Sequence, residues 1–199
     1  MKSSAHGFSG LLVSVEGVDL VGKTVLASGL SRLPNWRFFS TPSEPFRSIR
    51  QQVEDLRDLD TRFFYYLASV IAAQCRLKEL LAAGSNVVID RYIDSTFVMH
   101  AALGVNTGCV DRSALPILQA DLTLVLTADR ETRIRRRLER DHQPSHDLQI
   151  EQSLQLTDRA QELFQELGHP IIDTTRADKE RVRGIAIGHI DEVQHAQDT

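Results

Sequence analysis

Residues 11–24 read Leu-Leu-Val-Ser-Val-Glu-Gly-Val-Asp-Leu-Val-Gly-Lys-Thr, and this stretch decides the fold. Leu11 to Glu16 is an apolar run of strand length, closed by Gly10 on one side and Gly17 on the other. From Gly17 to Thr24 the chain spells G-x-x-x-x-G-K-[ST], a loop whose glycines let backbone N–H groups turn inward around phosphates. A helix beginning at Gly22 points its positive end at the same anion. Gly17, Asp19, Val21, Gly22, Lys23, Thr24 and Val25 are therefore the expected nucleotide contacts. Lys23 is placed to reach the β- and γ-phosphates of ATP, and the Thr24 hydroxyl to meet Mg2+.

The same alternation continues along the chain. Trp36–Ser40, Asn86–Asp90, Leu122–Thr127 and Ile171–Asp173 read as further strands. Helical periods cover roughly Thr61 to Ala83, with Asp60 as cap and Gly84 as stop. Others start near Asp111, Asp129, Leu148 and Asp178. Short apolar strands separated by helices predict a parallel sheet covered on both faces. The expectation is a single domain over residues 1–199, an α/β fold with five parallel strands, its polar tail fraying after Glu192.

Composition agrees and narrows the classes. The 199 residues are 42% hydrophobic and 25% charged, ordinary for a globular chain and incompatible with wholesale disorder. The formal net charge of −4 argues against a general nucleic-acid binder. No run of 18 apolar residues occurs, so no membrane span is expected. Two cysteines, Cys75 and Cys109, build neither a zinc site nor a disulfide framework. With no apolar leader segment at the N-terminus, a cytoplasmic setting is expected.

Two further motifs carry chemistry. Asp90-Arg91-Tyr92 follows directly on a strand, where Asp90 can serve Mg2+ and Arg91 can point into the ligand crevice of an open α/β sheet. Arg130, Arg133, Arg135, Arg136, Arg137 and Arg140 form a basic run of six arginines in eleven positions. On a helix, Arg133, Arg136 or Arg137, and Arg140 share a face. Guanidinium groups closing over a transferring phosphoryl group stabilise its charge. The acidic residues interleaved among them mark the remainder as a solvated face.

These residues resemble the thymidylate kinases, a family of P-loop nucleoside monophosphate kinases. The likeness rests on EGVDLVGKT (16–24), Thr-x-x-Glu-Pro…Ile-Arg (41–50), DRYIDST (90–96), the arginine-bearing 126–140 and HPIIDTT (169–175). It implies a P-loop kinase fold with an arginine-rich lid at about 133–148. Lys23, Arg91, Arg136 and Arg140 would act on the transferred phosphoryl group, and Thr24 and Asp90 on the metal. Asp19, Glu44, Arg50, Tyr65, Arg91 and His100 would meet the acceptor, a nucleotide or other small molecule. The resemblance also implies a homodimer.

Departures from the family pattern cluster on the acceptor side. Ser43 stands where the family has an arginine, Ser69 and Ile71 fall where its helix reads thymine with Arg and Gln, and Met99-His100 replaces a Tyr-Gln pair. The phosphate half reads as intact, and the acceptor half as rewritten. Two alternatives stay open on the residues alone. One is a kinase of a hydroxyl acceptor such as a deoxynucleoside, with Glu44 as general base. The other is a nucleotide-dependent switch, although no base-reading Asn/Thr-Lys-x-Asp motif is present.

Overall fold

The computed structural model describes residues 6–140 and 147–198, with side chains described over 6–139 and 154–196. In chain order the elements are β1 (Leu12–Glu16), α1 (Lys23–Leu30), β2 (Trp36–Ser40), α2 (Phe46–Asp55), α3 (Leu59–Ala82), β3 (Asn86–Asp90), α4 (Ile93–Ala102), β4 (Leu122–Thr127), α5 (Arg130–Arg140), α6 (Asp147–Glu166), β5 (Ile171–Asp173) and α7 (Lys179–Asp198). The five strands pair in parallel in the order β2-β3-β1-β4-β5. This is the doubly covered α/β sheet expected from the sequence.

Strand alternation splits the core in two. Val13, Val15, Val88 and Leu124 join a cluster with Leu26, Leu30, Phe164 and Val182. Leu12, Val87 and Ile89 face the other way, onto Phe63, Leu67, Leu77 and Leu81 of α3. All five residues of β1 are buried, as a central strand covered on both faces requires. Among the described residues no helix is long and apolar enough to cross a membrane.

Three local expectations are corrected. The cap of α3 is Asp58, whose Oδ1 accepts from the Thr61 N–H at 2.6 Å, while Asp60 lies inside the first turn. No α-helix starts at Asp111; that residue caps a single 3-10 turn over Arg112–Ala114. Gly104, Gly108 and Pro116 punctuate this segment too closely for a longer helix. The helix of the region is α4, which is buried nearly all round and so carries no amphipathic signature. Finally, α7 continues through the polar tail to Asp198.

Candidate active site

The loop from Gly17 to Gly22 springs from the central strand. Gly17 has φ +128°, and a Cβ there would lie 2.3 Å from the Leu126 carbonyl oxygen of β4. Gly22, at φ +97°, forms the start of α1 without any side-chain cap, so the first N–H groups of the helix stay available to an anion. Lys23 is buried, and its Nζ donates to the Val18 carbonyl at 2.5 Å, folding back across the loop. Burial, reinforced by the Arg91 charge, pushes its pKa from 10.5 down to about 7.

Thr24 and Asp90 meet: the Thr24 hydroxyl donates to Asp90 Oδ2 at 2.5 Å. Asp90 Oδ1 is buried with no hydrogen-bond partner. A carboxylate oxygen left idle beside a hydroxyl and a phosphate loop fits a hard cation such as Mg2+, which takes few protein ligands and completes its shell with phosphates and water.

Next in the chain, Arg91 adopts φ +66°, a left-handed conformation that a side chain with a Cβ adopts only under local constraint. Its N–H donates to the Val15 carbonyl at 3.1 Å, and its own carbonyl accepts from the Thr41 hydroxyl at 2.8 Å. This twist swings the guanidinium toward the loop, where its Nη2 donates to Asp19 Oδ1. Glu16, which composition gave no reason to single out, fixes the same turn. Its carboxylate accepts from the Tyr92 N–H at 2.9 Å and from the Ser95 hydroxyl. Burial, together with the Asp94 charge, raises its pKa to about 7.

Two cavities flank the loop. The first, about 350 Å³, runs from Asp19 and Arg91 along α4, past Thr96, Met99 and His100, to Leu103; Arg50, Glu54, Arg62 and Tyr66 close its other side. The second, about 210 Å³, lies between Val21, Gly22 and Val25 on one side and Arg136 and Thr174 on the other. Arg136 donates to the Leu20 carbonyl at 2.9 Å, to the Thr174 hydroxyl at 3.0 Å and to the Thr174 carbonyl at 2.7 Å, so it ties α5 to the loop's corner. Arg133 is buried and paired with Asp158 of α6, a structural tether.

Asp19, Arg50, Arg91 and His100 thus stand together on the first cavity. Tyr65 does not line it: its hydroxyl donates to the Phe46 carbonyl at 2.6 Å, and Tyr66, one residue on, lines the wall instead. Glu44 does not line it either, being turned onto Ser48, whose N–H donates to it at 3.2 Å. The Arg140 side chain and residues 141–146 of the expected lid lie outside the described residues.

The family model "Thymidylate kinase" matches residues 15–185, from the strand that launches the loop to α7. This chain belongs to the thymidylate kinase family. It is a nucleotide kinase. A probable thymidylate kinase of Methanocaldococcus jannaschii is 25% identical over 189 residues, covering 93% of this chain and 98% of its relative. The thymidylate kinase of Jannaschia sp. is 32% identical over 151 residues, covering 66% and 70%. In three dimensions the chain is similar to the thymidylate kinase of Candida albicans, with a TM-score of 0.69, 20% identity, and coverage of 93% of this chain and 92% of that one. Against that background Arg62, Glu54, Tyr66 and Thr174 are the site residues that sequence reasoning missed. Of these, Thr174 was within reach, because it lies inside the HPIIDTT match.

Proposed function

We propose that this protein transfers the γ-phosphoryl group of ATP to the phosphate of thymidylate. The observation that carries this reading is the placing of one cavity on each flank of the phosphate loop. A donor whose base enters the Val21–Arg136–Thr174 cavity lays its phosphates across the loop. An acceptor in the larger cavity ends its phosphate at Arg91.

The acceptor oxygen is already anionic, so the reaction needs positioning and charge stabilisation rather than a general base. Lys23 exchanges its bond to the Val18 carbonyl for the β- and γ-phosphates, which restore its charge. Arg91, aligned by Asp19, holds the acceptor phosphate, with Arg50 beside it on the same wall and Asp19 beside the acceptor's sugar. Arg136 braces the loop and borders the donor base. Thr24 and Asp90 would hold Mg2+, which when bound offsets negative charge on the transferring group. A hydroxyl acceptor would require a free carboxylate in the cavity; Glu44 is bonded to Ser48 outside it, Asp19 is paired with Arg91, and Glu54 is taken up by Arg50 and the Tyr66 hydroxyl. A cytoplasmic homodimer is the assembly this reading implies, and light scattering on the eluted protein tests the dimer.

The test of function is ADP release from Mg-ATP with a panel of nucleoside monophosphates and nucleosides, using Lys23→Ala as the blank. Thymidylate should lead the panel, and Glu44→Gln should keep at least half of the activity. Lys23-dependent turnover confined to nucleosides, and lost in Glu44→Gln, would overturn the proposal.

A further inference from the structure

Three residues between Gly17 and Gly22 stand in the left-handed backbone region, and one of them is not a glycine. Gly17 and Gly22 have φ +128° and +97°, while Leu20 has φ +69°. A Cβ too close to the following carbonyl oxygen disfavours this conformation roughly 5- to 30-fold. Asparagine and aspartate offset that cost with a local side-chain hydrogen bond, and leucine has no polar atom with which to do so. Such a residue stays in place only where its surroundings over-determine it.

The surroundings hold two consecutive carbonyls of the loop. Arg136 of α5 donates to the Leu20 carbonyl at 2.9 Å. The Thr174 hydroxyl, one residue past β5, lies 2.9 Å from the Val21 carbonyl and 3.0 Å from the Thr127 carbonyl, which share its single proton. Arg136 also donates to that hydroxyl at 3.0 Å and to the Thr174 carbonyl at 2.7 Å, so the two holds form one bracket. Thr174 is buried, and its N–H donates to the Thr127 carbonyl of β4 at 2.8 Å, which fixes the bracket to the sheet.

The bracket bears on phosphate binding through peptide geometry. A trans peptide unit is planar, and its C=O and N–H point in opposite directions. Drawing the Leu20 and Val21 carbonyls toward Arg136 and Thr174 turns the N–H groups of Val21 and Gly22 the other way, toward the inside of the loop. Successive inward N–H groups make the concavity that an anion occupies.

We infer that Arg136 is a positioning residue for the phosphate loop: with Thr174 it holds Leu20 left-handed and keeps the loop's N–H groups aimed at the donor phosphates before nucleotide arrives, an inference that rests on the loop holding the donor. Arg136 also borders the cavity given to the donor base, and the two roles respond differently to a change at Leu20. Glycine populates the left-handed region about as readily as the right-handed one. Leu20→Gly therefore removes the cost that Arg136 offsets and makes the bracket dispensable. A lost contact with the base is not returned by any change at Leu20.

Fluorescence titration with N-methylanthraniloyl-ADP and Mg2+, with no acceptor present, compares the unmodified chain, Arg136→Met, Leu20→Gly and the double variant. Arg136→Met should weaken binding about tenfold, Leu20→Gly alone should stay within about threefold, and the double variant should bind at least about threefold more tightly than Arg136→Met. KM for thymidylate should move less than about twofold in Arg136→Met, because the acceptor side is untouched. Thr174→Val should weaken binding in the same direction, and Thr174→Ser, which keeps the hydroxyl, should not. A double variant that binds no better than Arg136→Met would overturn the inference, as would an Arg136→Met protein that binds like the unmodified chain. If Arg136→Met does not fold, Leu20→Ile with Arg136 intact decides. A β-branched residue resists the left-handed corner further, so Leu20→Ile should bind at least about threefold more weakly than Leu20→Gly. Equal affinities of those two variants would overturn the inference as well. No binding by the unmodified chain would remove the donor assignment and the bracket together. Binding that follows this pattern without turnover of any monophosphate would support the bracket and remove only the acceptor assignment.

Discussion

Replacing Gly17 and Gly22 separately by alanine compares two positions in one loop that differ mainly in what a methyl group would meet. Both glycines have positive φ, +128° and +97°, so each substitution incurs backbone strain of about 1–3 kcal/mol. At Gly22 a Cβ has nothing within 4 Å, and strain is the whole effect. At Gly17 the Cβ would stand 2.3 Å from the Leu126 carbonyl oxygen and 3.3 Å from Val21 Cγ2. The Leu126 oxygen belongs to the backbone of a buried strand and cannot rotate away. Forcing it aside adds about 1–3 kcal/mol of overpacking. The loss of unfolded-chain entropy that accompanies Gly→Ala is common to both variants and cancels. Gly17→Ala should therefore be the less stable by about 1–3 kcal/mol, which for a chain of this size lowers Tm by a further 2–12 °C or so. Thermal melts followed by far-ultraviolet circular dichroism, without nucleotide, give the comparison. Two variants melting within a degree of each other, or Gly22→Ala melting lower, would refute the steric reasoning.

Three other outcomes follow from the site. Lys23 titrates near 7 when folded and near 10.5 when unfolded, so between those values the unfolded chain binds the extra proton. Stability of the nucleotide-free protein should thus rise with pH across that window, by up to about 1.4 kcal/mol per unit, and Lys23→Met should flatten the slope in urea titrations. Parallel slopes for the two proteins would contradict the buried-charge account. Asp158→Asn leaves the buried Arg133 without its counter-charge. The expected cost is about 2–4 kcal/mol in urea denaturation, below the full buried-pair range because the Asp158 side chain is one-third exposed. A loss under about 1 kcal/mol would show Arg133 to be satisfied by other means. Asp90→Asn should raise the Mg2+ concentration for half-maximal turnover by about 10–100-fold, with KM for thymidylate little changed. An unaltered Mg2+ requirement would detach Asp90 from the metal.

The phosphate side was legible because its signals are local. An apolar strand, two glycines at fixed spacing and a Lys-Thr pair occupy fourteen consecutive positions, 11–24, and no distant contact is needed to read them. The limits of β1, β3 and β4 were legible for the same reason, since strands covered on both faces are continuous apolar runs. The acceptor side depends on helix phase. Phe63-Phe64-Tyr65-Tyr66 gives four aromatics in a row, and one residue of error turns the side chain by about 100°. That error separates Tyr65, packed on Phe46, from Tyr66 on the cavity wall. Helix α4 escaped detection because burial on nearly every side erases periodicity. Asp94, Arg112 and His169 come together from three distant segments, and nothing in any one of them announces the others.

Helix α2 contributes Arg50 and Glu54 to the acceptor wall, yet none of its residues is buried. Substitutions along it remove little packed area, and exposed positions of this kind usually change stability by less than about 0.5 kcal/mol. The phosphate side has no such latitude, since Glu16, Lys23 and Asp90 are enclosed in the core. The two halves of the site therefore differ in evolvability. Lineages carrying this scaffold can sample new acceptor preferences along α2 almost without a stability penalty, while the machinery that handles the transferred group is held by the same contacts that hold the fold.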